Sequence, residues 1–471
     1  MNIQKDHVPA LMVALLGACT AFQLNASMLS PVLPTIQRDL HTTVVAVGFS
    51  QTAFFTSAAI FAVFVPRLSD ILGRRRVLLV SLALTTVGSI LAAVAPGIGL
   101  LCLARVIQGC SGAVIAICLL ILRGQVAEPK RYGTLMGVVA AVNGGVAGID
   151  VFVGGWLATH VGFRAVFWVM VVVGAIATGL VARIAPESRP SAGTPMDWSG
   201  VVALALAVAC LLLALNEAAK LAAAKWWQVA VFAIASVGAF VSFYQNERRA
   251  QHPLVRPAQL RDRGTWAVLL TTTLTLAGIF AAINGVVVSD AQDAKAGLGL
   301  SADTTSVVLL TPYALIGWAV GPLAGRFAPT WGYRRILRIG LVGSIVALAW
   351  IAMVGLHSLP MLVGGSLLLG IAYAGMANIM LNGLAVALSP PDRPGFLPGF
   401  NSGAFNLGAG LSFAILPAIQ TIIGGSNGDA AGYAGAVALG VVITAAALGV
   451  SYLIPRPALI EVREPVGLAD G

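Results

Sequence analysis

Apolar runs of roughly 20 residues, separated by short polar stretches, recur from Val8 almost to the end of the chain. A run of about 20 apolar residues spans a bilayer as a helix. Lipid offers the backbone no hydrogen-bond partners, so runs of this length read as helices. The pattern predicts fourteen of them, at about 8–33, 44–66, 77–95, 98–122, 134–159, 163–183, 199–217, 226–246, 265–289, 303–325, 336–356, 359–388, 397–423 and 431–454. The longest connections are 184–198, rich in Pro, Ser, Gly and Arg, and 247–264. The first run is too long for a signal-peptide core and has no small-residue cleavage site followed by a soluble domain, so it is expected to be retained as helix 1.

Composition supports a membrane protein: 58% of the residues are hydrophobic and 10% charged, against about 45–50% and about 25% in a soluble domain. The net charge of +10 does not point to nucleic acid, because the basic residues sit in short clusters between apolar runs. With the amino terminus inside and sides alternating at each helix, 22 of 28 Lys and Arg fall on the cytoplasmic side, Lys130/Arg131 and Arg248/Arg249 among them. That bias favours the fourteen-helix count. It predicts a multi-pass protein of a cell inner membrane or plasma membrane with both termini cytoplasmic. The five cysteines lie inside apolar runs with no partner at ligand spacing, so packing is expected, with no metal and no disulfide framework. No Walker, zinc-site or Ser-His-Asp pattern is apparent, and neither an enzyme nor a cofactor is expected.

Two basic loops echo each other. Residues 67–78 read RLSDILGRRRVL and residues 326–337 read RFAPTWGYRRIL, with Arg, Gly, an Arg pair and Leu coincident. Each follows a helix that ends on the same side, which suggests two parallel repeats. In the first loop Gly73 can take a left-handed turn conformation. Asp70 can accept from a helix amino terminus and pair with an Arg, so the loop, with Arg74 and Arg75, can latch two bundles together. A plain positive-inside anchor is the alternative.

These residues resemble the major facilitator superfamily, whose signature here is Gly-x-Leu-x-Asp-Arg-x-Gly-Arg-Arg. Leu68, Asp70, Gly73, Arg74 and Arg75 match, while Pro66 and Ile71 depart from it. In helix 4, Arg105, Gln108, Gly109 and Gly112 are similar to the family's Arg-x-x-Gln-Gly-x-Gly pattern, with the last Gly one position late. The resemblance implicates the Arg in proton transfer, against a structural Arg as the plain alternative. The glycines permit close helix approach. In helix 5, Gly154 and Gly155 resemble the end of the antiporter signature, but Asp150 and Val151 replace its Gly-Pro.

An intramembrane carboxylate is a functional candidate, and Asp150 is the one acidic residue placed deep in the bilayer. It is a candidate proton-coupling residue facing the central cavity, with Arg105 modulating it and Glu217 and Asp290 at helix ends as fallbacks; a structural Asp that hydrogen-bonds a neighbouring helix is the alternative. Helix 1 has Asn25 where the resembled fourteen-helix drug:proton antiporter branch usually has Asp, so a relocated proton site and simple drift both stand. The branch resemblance rests on Met196-Asp197-Trp198 with Gly200, on Glu217, and on Glu247 with His252-Pro253-Leu254. Substrate-cavity candidates are Asn25, Gln108, Asn284, Asn378 and Asn382, since amides at bilayer depth need partners.

The expected fold is an all-α polytopic membrane protein: a six-helix bundle (1–183), two extra helices with flanking loops (184–263), and a second six-helix bundle with a short tail (264–471). The resemblance implies a monomeric secondary transporter working with protons and a small-molecule substrate in the lipid bilayer. Proton-coupled efflux of amphipathic or cationic compounds is the leading expectation. A transporter of a specific metabolite and a transport-inactive sensor or scaffold are the alternatives.

Overall fold

The computed structural model describes residues 7–126, 128–188, 196–220, 224–250, 255, 257–389, 396–425 and 429–456. Among these there is no strand. Fourteen helices are long and apolar enough to cross a membrane. They are α1 (Val8–Asp39), α2 (Val44–Leu72), α3 (Arg74–Ala93), α4 (Ile98–Gln125), α5 (Arg131–His160), α6 (Phe163–Ile184), α7 (Trp198–Ala218), α8 (Trp226–Arg249), α9 (Arg263–Gln292), α10 (Ala302–Ala328), α11 (Tyr333–His357), α12 (Leu359–Ala387), α13 (Phe396–Gly424) and α14 (Ala430–Ser451).

Each expected span is present, most with longer ends, while α3, α12 and α14 stop one to three residues earlier than expected. The run of α1 does not stop at the Ser30-Pro31 step. A single 3₁₀ turn, Ser30–Val32, carries the chain into a further helical turn that ends at Asp39. The end of α9 moves from the expected 289 to Gln292, which brings Asp290 inside the span. Three π-helical segments, Ala282–Val286, Ser306–Leu310 and Gly370–Ala377, interrupt α9, α10 and α12. Such interruptions are frequent at functional positions. His252, Pro253, Leu254 and the tail from residue 457 lie outside the described residues, as does the side chain of Lys130.

The echo between the two basic loops is structural. Gly73 has φ +105° and Gly332 has φ +88°, a region that costs any residue with a Cβ. In both, the glycine N–H bonds back four residues, Gly73 to Ser69 O at 3.0 Å and Gly332 to Ala328 O at 2.9 Å. The turn therefore ends one helix and starts the next with no linker.

The packing repeats as well. Within the first six helices α1 packs on α6 and α5, α3 on α6 and α4, and α2 on α4. Within the last six α9 packs on α14 and α13, α11 on α14 and α12, and α10 on α12. These are the same pairings, eight helices later. The halves meet through α2 with α13 and through α5 with α10, which the repeat also interchanges. The pair α7 and α8 pack on each other, and α7 also touches α2 and α13. Only 6% of the apolar window of α8 is buried, so this helix is peripheral.

Candidate functional site

Arg105 is fully buried in α4. Its guanidinium donates to Gln108 Oε1 at 2.9 Å, to the Asn25 carbonyl at 3.1 Å and to Gln51 Oε1. It lies 4.1 Å from the centroid of the Phe54 ring, a cation–π contact that partly compensates lost hydration. Gln108 in turn donates to Ser89 at 2.9 Å. A buried charge is tolerable when hydrogen bonds surround it, and α1, α2, α3 and α4 are tied together by this one. A 3₁₀ segment, Gly109–Ala113, follows directly. A Cβ on Gly109 would strike the Ser57 side chain and one on Gly112 the Ala58 backbone, so these glycines let α4 close on α2.

Asp150 is 4% exposed. Its Oδ2 accepts from Ser27 Oγ at 2.6 Å, and Ser27 also receives Gln23 Nε2 at 2.7 Å. Its Oδ1 has no partner. Asp150 and Arg105 do not touch: the guanidinium is occupied by Gln51, Gln108 and the Asn25 carbonyl, and Asp150 by Ser27. Both groups contact α1, at Ser27 and at Asn25, two residues apart. A second carboxylate, Asp290, two residues from the end of α9, is 0% exposed. Glu217 is buried too but is satisfied by Lys220 and by Lys225 N at 3.0 Å, closing the α7–α8 turn.

The interface between the halves is uneven along its length. Toward the end opposite the basic loops, Gly155 lies against Ser306 and Ala302, and Thr159 reaches Asp303 at 3.2 Å. Nearer the middle, Thr311 donates to Gly148 O at 3.1 Å and Trp318 Nε1 to Ala141 O at 2.7 Å. Closer still to the basic end, a Cβ on Gly133 or Gly137 of α5, or on Gly325 of α10, would meet nothing within 4 Å. The cross-half contacts named here along α5 and α10 lie toward the opposite end and the middle, while these three glycines near the basic end face open space. On the other side α2 and α13 stay in contact, with Gly48 against Phe413 and Pro417, Gly410 against Phe55, and Gly403 against Val63.

The Asp70 loop differs from expectation. Asp70 Oδ1 accepts from Arg74 Nε and Nη2, at 2.9 and 2.8 Å, within its own loop. Arg74 also reaches Leu120 O, and Arg75 reaches Ala182 O. The start of α3 is capped by Glu187, which accepts from Arg75 N at 3.2 Å, and by Ser188, which accepts from Arg74 N at 2.9 Å. These partners tie α2, α3, α4 and the segment after α6, all on one side of the half interface. Of the two contacts expected of Asp70, the Arg pair is made, with Arg74, and the helix cap is made instead by Glu187 and Ser188. A cavity of about 310 Å³ opens beside Asp70, Arg74 and Glu187.

The amide candidates divide. Asn25 and Gln108 belong to the Arg105 cluster, and Asn25 Oδ1 is buried without a partner. Asn284, in the α9 π-turn, accepts from Ser30 of α1 at 3.2 Å, across the interface. Asn378 and Asn382 form a separate group with Asn401 (Asn401 Nδ2 to Asn382 Oδ1, 3.1 Å). Gly154 packs on the Met28 carbonyl of α1. Sequence reading missed Gln51, Ser27 and Glu187; the first two were visible as polar positions inside apolar runs.

A family model described as Major Facilitator Superfamily matches residues 15–290 and 268–468. A uridine/deoxyuridine transporter of Lactococcus lactis subsp. cremoris (strain MG1363) is 45% identical over 455 residues, 95% of each chain. The multidrug resistance protein Stp of Mycobacterium tuberculosis (strain CDC 1551 / Oshkosh) is 26% identical over 399 residues, 84% of this chain and 73% of its own. The crystal structure of the human organic anion transporter MFSD10 (TETRAN) shares the fold, with TM-score 0.64, 16% identity, and coverage of 96% of this chain and 100% of that one.

Proposed function

The chain belongs to the major facilitator superfamily, and from that premise we propose that it carries a nucleoside, of the uridine type, across the membrane by alternating access. The observation that carries this reading is the 45% identity, over 95% of both chains, to a uridine/deoxyuridine transporter. The drug-resistance relative is far less similar, so multidrug export yields to transport of a specific metabolite.

In this reading the moving bodies are residues 1–183 and 264–471, with 184–263 as an accessory pair, in a monomer surrounded by lipid. The charge bias puts the basic loops and both termini in the cytoplasm. The conformation described above then faces inward. Asp150 carries the coupled proton, and Arg105 senses it through α1. The half interface that closes over the substrate includes Asn284, which meets Ser30 of α1. A ligand bound only by the folded protein stabilises it, by about 2.7 kcal/mol at 100 times its Kd. Uridine and deoxyuridine should therefore raise the Tm of the purified chain in detergent. A shift with a lipophilic cation and none with uridine would return the reading to drug efflux.

A further inference from the structure

The last turns of α9 combine three features. The π-helical segment Ala282–Val286 interrupts the helix, and π-turns are places where a helix can rearrange locally. From that segment onward, the end of α9 makes the contacts that close the opposite end against α1. Asn284 accepts from Ser30 at 3.2 Å, and Gln292 Nε2 donates to the Pro31 carbonyl at 2.9 Å. Between these two contacts stands Asp290, 0% exposed, with neither carboxylate oxygen hydrogen-bonded.

The chain after α9 folds back over that carboxylate. Leu298 N bonds to Asp290 O at 3.3 Å and Leu300 N to Ala291 O at 2.8 Å. A Cβ on Gly297 would run into the Asp290 carbonyl oxygen, so the fold-back needs glycine there. The elements packed on this segment carry the titratable groups Arg38 and Asp39 at the end of α1, Asp303 at the start of α10, His357 at the end of α11, and Tyr433 on α14. Asp293 and Lys295 lie in the loop itself. None of them hydrogen-bonds the Asp290 carboxylate. Tyr433 is committed to Asp293 at 2.8 Å, and Asp303 to Ser301 and Thr159. Burial pushes the Asp293 carboxyl up, but hydrogen bonds from Lys295 N, Tyr433 and Ala296 N outweigh it and hold the group below its usual value. Asp293 thus stays negative, three residues from Asp290.

An ionised carboxylate with no partner, buried beside a second negative charge, is the costliest arrangement available to it. We infer that Asp290 is a proton-binding site, and that the proton it holds keeps the opposite end of the transporter closed. The closed form buries the neutral acid. Opening at the π-turn lifts the segment off α1, hydrates the carboxyl and releases the proton. Closure is then favoured as pH falls and opposed as pH rises. This inference concerns the gate and does not depend on what the substrate is.

The test uses the full chain in lipid nanodiscs, with the five native cysteines replaced and nitroxide labels at positions 40 and 294, one on each side of the opposite end. Pulsed-EPR distances are recorded from about pH 5.5 to about pH 8.5, a range in which a buried carboxyl can titrate. The expected result is a short distance at low pH and a growing long-distance population as pH rises, with Asp290→Asn short throughout. A pH response of Asp290→Asn equal to the parent's would overturn the inference. So would closure driven by sodium at constant pH, which would make the ligand a metal cation. Dicyclohexylcarbodiimide, which attacks protonated carboxyls in apolar surroundings, gives a readout with no substitution at Asp290. Mass spectrometry should find the adduct on Asp290 at low pH and lose it as the gate opens; no adduct at any pH contradicts the inference.

Discussion

Ser27 of α1 donates to Asp150 of α5 at 2.6 Å, joining two helices 123 positions apart in the chain. Asparagine can keep that bond, because its carbonyl oxygen still accepts, but it cannot carry a proton. Asp150→Asn should therefore fold normally. Uridine accumulation driven by a proton gradient should fall by at least about tenfold, roughly 1.4 kcal/mol, while uridine counterflow without a gradient continues. Gradient-driven uptake at the parent's level would show that Asp150 is structural.

The Asp70–Arg74 pair is half exposed, with side chains 42% and 25% accessible, and such pairs contribute about 0–1 kcal/mol. Asp70→Asn should leave Tm almost unchanged. Transport kinetics should show a lower maximal rate at an unaltered KM, since a loop that favours one conformation changes turnover without touching the substrate. Glu187→Gln weakens the cap of α3 and should cost more stability, about 0.5–2 kcal/mol. Equal losses of stability in the two variants would contradict this division of roles.

Gly112 faces the Ala58 backbone, whereas Gly133 faces open space. Gly112→Ala forces α4 from α2 and should cost about 1–3 kcal/mol. Gly133→Ala should be neutral or slightly stabilising, because alanine is the better helix former. Thermal unfolding of the two purified variants reads the contrast directly.

Orientation is open to labelling. In a cysteine-free background, a cysteine at Ala258 should react with a membrane-impermeant maleimide only after the cells are permeabilised. One at Lys295 should react in intact cells. Reaction of position 258 from outside would remove the cytoplasmic assignment of the basic loops.

Much of the fold can be read from apolar run lengths, because each span must hide its own backbone. Gly73 and Arg105 could be singled out because a positive φ and a buried charge leave few residue choices. What surrounds them could not. Gln51, Ser27 and Glu187 come from other helices or from loops distant in sequence, and only packing brings them together. Asp290 could be placed at a helix end, but its burial could not be read, because it depends on three further helical residues and on the packing around them. The substrate class was invisible: buried amides such as Asn25 and Asn284 serve helix contacts as readily as a ligand.

Uptake of radiolabelled uridine by proteoliposomes containing only this chain tests the central claim most directly. The account predicts saturable uptake, competed by unlabelled deoxyuridine and stimulated by a proton gradient. Liposomes that take up no uridine above protein-free controls, while the same preparation transports a cationic dye, would contradict it.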